Sequence, residues 1–65
     1  MPSRREIKID KLRRFREQAE KFRLRAAAMS DPLARSGLIQ VAESYERMAT
    51  FIESSLGDDL AAHSN

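Results

Sequence analysis

The stretch Met29-Ser30-Asp31-Pro32 constrains this chain more than any other, because it interrupts an otherwise continuous helical pattern near the middle of 65 residues. Proline disfavours helical geometry for the residue before it, so Asp31 is not expected to continue a helix arriving from the N-terminal side. Aspartate is instead a good N-cap, and proline fits the first helical position, where no backbone N–H is needed. The four residues therefore predict a stop, a cap and a restart, which is the bend of a helical hairpin.

The flanking segments carry the stripes such a hairpin needs. Ser3-Arg4-Arg5-Glu6 fits a capping box and predicts a first helix over 4–29. Its apolar stripe runs Leu12, Phe15, Ala19, Phe22, Ala26, Met29, alternating three and four residues as in a coiled-coil seam. Lys11, Gln18 and Arg25 flank it on one side, and Arg16 and Arg23 on the other. The second helix is predicted over 32–56, with Gly57 as a left-handed C-terminal cap and 57–65 as a flexible tail. Its seam reads Ala34, Leu38, Val41, Tyr45, Met48, Ile52. Folding the chain at Ser30 then pairs Ala26 with Ala34, Phe22 with Leu38, Ala19 with Val41, Phe15 with Tyr45 and Leu12 with Met48. The fold class is all-α, an antiparallel two-helix hairpin. Asp10–Arg14, Glu17–Lys21 and Glu43–Arg47 are spaced for ion pairs along each helix.

A lone hairpin of this length buries little, and the chain has no cysteine to staple it. It is therefore expected to self-associate, most simply as a homodimer forming a four-helix bundle. The second helix has the wider apolar face. Ala42, Ala49 and Leu56, beside Leu38, Tyr45 and Ile52, form the flank expected to meet a second copy.

Charge is divided unevenly. Residues 1–28 hold ten Lys or Arg against four acids, whereas 29–65 hold two against six. A basic first helix suggests phosphate contacts through Arg13, Arg16, Arg23 and Arg25, an RNA- or DNA-binding alternative that shares its architecture with dimeric plasmid copy-number hairpins. The competing reading is a solvated face, or one that meets Glu43, Glu46 and Glu53 of another hairpin. A helix lying on an anionic membrane fits less well, because Ala19 and Ala26 give its stripe little insertion energy.

Catalytic and cofactor chemistry finds no motif here. The single histidine, His63, has no cysteine or carboxylate cluster to join it in a metal site. The serines have no histidine base in reach, and Phe15 and Tyr45 at seam spacing read as packing. No catalytic residue, cofactor or metal is expected. No apolar run approaches membrane-span length, and the mixed-charge N-terminus resembles neither a secretory signal nor a transit peptide. The expectation is a small, cytoplasmic, non-enzymatic protein–protein interaction or regulatory module that pairs with itself and with another protein.

Residues 19–50, from Ala19-Glu20-Lys21-Phe22 through the aspartate–proline bend to Ala42-Glu43-Ser44-Tyr45-Glu46-Arg47-Met48-Ala49, resemble short uncharacterised helical-hairpin proteins of alphaproteobacteria. The resemblance implies a bacterial cytoplasmic setting and carries no activity with it.

Overall fold

The computed structural model describes residues 2–63, with side chains described for 2–57. Two helices make up the fold, α1 over Arg4–Ala28 and α2 over Pro32–His63. Each begins as its sequence dictates. Ser3 is extended (φ −72°, ψ 165°), and its hydroxyl accepts a hydrogen bond from the Glu6 N–H at 3.2 Å. The Asp31 carboxylate accepts from the Ala34 N–H at 3.2 Å, while its carbonyl accepts from the Arg35 N–H at 3.0 Å. Both caps satisfy N–H groups that the first turn of a helix leaves without an internal partner.

The bend uses no left-handed residue. Met29 leaves α1 in an extended conformation (φ −80°, ψ 131°) and donates its N–H to the Ala26 carbonyl at 3.1 Å. Its own carbonyl would be stranded at the end of α1. Arg35, one turn into α2, donates to it from Nε at 3.2 Å and Nη2 at 2.5 Å. A cation therefore sits at the negative end of the α1 dipole and ties both helices to the corner.

The C-terminal expectation is corrected. α2 does not stop at Leu56, and Gly57 does not adopt the left-handed conformation of a C-cap. The helix continues to His63. A glycine inside a helix costs only about 1 kcal/mol relative to alanine, and residues 58–62 hold no proline or second glycine to stop the helix. The side chains of 58–65, including that of His63, lie outside the described residues, as do Ser64 and Asn65 entirely.

The helices pack antiparallel, as the contacts between them show. Arg16 of α1 pairs with Glu53, Arg23 with Glu46, and the Lys8 Nζ donates to the Ser55 hydroxyl at 2.8 Å. Among the described residues the fully buried core consists of four alanines: Ala19 and Ala26 of α1, and Ala42 and Ala49 of α2, each no more than 3% exposed. Each pair is seven residues apart, so each stays on one side of its helix.

This seam corrects the expected register. Val41 and Met48, expected to face Ala19 and Leu12, are 39% and 49% exposed, while their neighbours Ala42 and Ala49 are buried. α2 is turned by about 50°, half the angular step of one residue, so that Ala42 and Ala49 replace Val41 and Met48 while Leu38, Tyr45 and Ile52 stay in the seam. Two effects favour the turn. Alanine against alanine lets the two backbones approach closely. The same rotation also brings Glu46 and Glu53 beside Arg23 and Arg16; with Val41 and Met48 inward, those carboxylates would swing away. The Phe15–Tyr45 partnership survives, with ring centroids 6.0 Å apart, and Phe22 joins it by stacking on Tyr45 at 5.7 Å and 13°.

Candidate interaction surfaces

The rotation gives the hairpin two unlike flanks. On one, Arg23 holds Glu46 in a two-pronged pair, Nε to Oε2 at 2.8 Å and Nη2 to Oε1 at 2.6 Å. Arg16 holds Glu53 two turns further along. Between them lies an open depression of about 460 Å³, floored by Ala19 and Ala49 and edged by Arg16, Glu20, Arg23, Glu46 and Thr50. The hydrogen bonds from Arg23 lower the Glu46 carboxyl below the ordinary glutamate value, and burial opposes the shift only in part. The same hydrogen bonds, reinforced by the charge of Glu46, raise Arg23. All four side chains are substantially exposed, so these pairs set register more than they add stability.

On the opposite flank α2 presents apolar side chains, while α1 carries exposed Lys11 and Arg25 there. Half-buried Phe15, Phe22, Tyr45 and Ile52 border exposed Val41 and Met48 on α2. Phe51, 77% exposed, lies one step further round the same helix. Along α2 this gives a second stripe, Gly37, Val41, Ser44, Met48, Phe51, Ser55, in which Ser44 accepts from Arg47 and Ser55 from Lys8 of α1. It repeats the alternating four- and three-residue spacing of a coiled-coil face and contains no charged residue.

The residues expected to act at a surface are redistributed accordingly. Of the expected homodimer flank, Ala42 and Ala49 are buried against α1, and Leu38, Tyr45, Ile52 and Leu56 are half-buried in or beside the same seam. The two alanines therefore cannot meet a second copy while the hairpin is closed. Of the expected phosphate contacts, Arg16 and Arg23 hold Glu53 and Glu46, and Arg13 reaches Asp10 at 3.4 Å. Arg25 is exposed on the other flank of α1. The four arginines therefore do not converge on one surface. Asp10 also holds Arg14 at 3.0 Å, as its spacing predicts. Arg47 donates to the Ser44 hydroxyl at 3.2 Å and forms no ion pair with Glu43.

Sequence reasoning missed the Arg35 clamp and the outward stripe of α2. A signal for the stripe was present: Arg16 and Arg23 are seven apart, and so are Glu46 and Glu53. Matching those two ladders fixes the rotation of α2. Among the described residues, no group of three or more His, Cys, Asp or Glu could hold a metal ion. Neither is any helix there long and apolar enough to cross a membrane. No family model, curated protein or solved structure matches this chain.

Proposed function

We propose that the chain is a small, cytoplasmic, non-enzymatic protein–protein interaction module whose working surface is the apolar flank around Val41, Met48 and Phe51. One observation carries this reading: among the described residues the fully buried side chains are all alanines, while Val41, Met48 and Phe51 stay exposed along one side of α2. Apolar surface in contact with water is unfavourable by roughly 25 cal/mol per Å², so a second apolar surface seated here would be stabilised by the area it removes. Apolar residues scattered singly need no explanation, but Val41, Met48 and Phe51 follow one another along one helix, an arrangement that suits docking by another helix.

The nucleic-acid alternative has the basic α1 in its favour. Its weight falls because Arg16 and Arg23 already hold carboxylates of the same chain. A photo-crosslinking residue placed at Met48, and separately at Thr50 on the ion-paired flank, tests the interaction reading in cells that express the chain. Protein adducts from position 48 and none from position 50 are expected. Adducts from neither position, or equally from both, would overturn it.

A further inference from the structure

We infer that the occupant of this flank is an amphipathic helix of another protein that carries aspartates or glutamates along one edge. Its apolar side lies on Val41, Met48 and Phe51, and its acidic edge lies over Lys11, Lys21 and Arg25 of α1. The inference rests on the interaction reading above and names the chemistry of the partner.

The cations come first. Lys11, Arg14, Gln18, Lys21 and Arg25 follow one another at alternating three- and four-residue spacing, so they share one side of α1 with no acid among them. Arg14 is held by Asp10 at 3.0 Å. Lys11, Lys21 and Arg25 are exposed, and among the described residues none of them has an ion-pair partner. Glu17, although spaced for Lys21, forms no ion pair with it. On the other flank the charges of Arg16 and Arg23 are already met by Glu53 and Glu46.

Aromatic side chains join this row to α2. Phe22 lines one depression of about 400 Å³ together with Gln18, Lys21, Leu24 and Arg25. The Phe22 ring stacks on Tyr45 at 5.7 Å, and Tyr45 stands one turn from both Val41 and Met48. Packed helix axes lie about 8–10 Å apart, so a third helix laid along the hairpin reaches both rows at once. The row from Lys11 to Arg25 is about 21 Å long, which about four turns of a partner helix cover.

Charge then selects the occupant. The serines of the α2 stripe add to the positive side, since Ser44 accepts from Arg47 and Ser55 from Lys8. The α2 carboxylates Glu46 and Glu53 are turned to the opposite flank. The flank is thus apolar on one helix and cationic on the other. A partner with a basic edge would be repelled, and one apolar on every side would cover Lys11, Lys21 and Arg25 without a counter-charge. A bilayer offers both rows the same layered chemistry, whereas a helix can turn a different side to each.

The test uses the purified full-length chain and three synthetic helical peptides that differ only along one edge. Each has leucines at alternating three- and four-residue spacing, and the neighbouring edge carries glutamate, glutamine or lysine. Anisotropy of the labelled peptides reads binding. The glutamate peptide should bind about tenfold more tightly than the glutamine peptide, the effect of three exposed ion pairs together, and the lysine peptide should bind weakest. K21E/R25E should reverse that order with helical circular dichroism intact, because both side chains are exposed. Met48→Glu should weaken all three peptides, and Arg13→Glu, which changes net charge away from this flank, should leave the order in place. Equal binding of the glutamate and lysine peptides, an order that K21E/R25E leaves unchanged, or no binding of any peptide overturns the inference. In the last case, tighter uptake by vesicles of phosphatidylserine and phosphatidylcholine than by phosphatidylcholine alone would give the flank to a membrane. The photo-crosslinking pair judges the interaction reading separately. Protein adducts from position 48 and none from position 50 keep that reading even where the charge order fails; if the order fails and neither position gives adducts, both fall.

Discussion

Replacing Ala42 by leucine probes the packing of the hairpin most sharply. Ala42 has no exposed surface, and it sits on the α2 face where Ala49 also meets α1. Leucine adds three carbons at a contact with no room for them. The helices must separate or tilt, and the Arg23–Glu46 pair beside it must stretch. Overpacking a well-packed site costs about 1–3 kcal/mol, and the tightness here places the expected cost at about 2–3 kcal/mol. Val41→Leu is the matched control one residue away. Val41 is 39% exposed, so its extra methylene enters solvent or a loosely covered edge, and the expected change is within about 0.5 kcal/mol. Urea unfolding followed by helical circular dichroism reads both changes. With a slope near the low end for a small domain, about 1 kcal/mol per molar, A42L should lower the midpoint by about 2–3 M, and V41L should barely move it. Both chains must be compared at one low concentration, because association adds apparent stability. If V41L costs as much as A42L, Val41 faces α1 and the alanine seam is wrong.

Three further perturbations follow from local geometry. Gly37 is helical, and a Cβ built there meets nothing within 4 Å; Gly37→Ala should therefore add about 1 kcal/mol and raise Tm by about 4–8 °C at fixed low concentration. Asp31→Ala removes the side chain that accepts from Ala34 and should cost about 1 kcal/mol in the same urea assay. A loss below about 0.3 kcal/mol would mean that Pro32 and Arg35 hold the corner without the cap. Glu46 has a folded pKa below its ordinary value of 4.5. Its contribution is thus fully present above that value and is lost as pH falls through the lower folded value. Thermal melts from pH 6 down to pH 2 should show a smaller acid loss in Glu46→Gln than in the parent, and equal losses would show the pair has no energetic weight.

The sequence made the architecture legible because its signals are local. Asp31-Pro32 marks the break, Ser3 and Asp31 cap the helices, and both stripes keep helical spacing, none of which needs a partner to be read. The helical rotation was harder. Val41 and Met48 continue a seam as well as Ala42 and Ala49 do, and on hydrophobicity alone the larger residues look like the core. Close backbone approach reverses that preference, because two alanine faces allow shorter interhelical contacts than valine and methionine permit. The Arg16–Glu53 and Arg23–Glu46 pairs then fit only one rotation. Gly57 misled for a related reason: a C-terminal glycine cap is a tendency, and a helix with no following stop can absorb one glycine. The surface inherited the error in rotation. The flank expected to meet a partner became the seam, and residues expected in the seam became the outward stripe.

Closure of an engineered disulfide tests the alanine seam most directly, since the chain has no cysteine of its own. Ala19 and Ala49 line one depression, midway between the Arg16–Glu53 and Arg23–Glu46 pairs. The pair A19C/A49C should oxidise readily to a monomeric, intrachain disulfide under dilute conditions, because a bridge requires Cα atoms within about 7 Å and side chains that face each other. The pair A19C/V41C, which the alternative rotation would join, should remain reduced under the same conditions. Rapid closure of A19C/V41C with none in A19C/A49C would place Val41 in the seam and take away the outward stripe on which the proposed interaction depends.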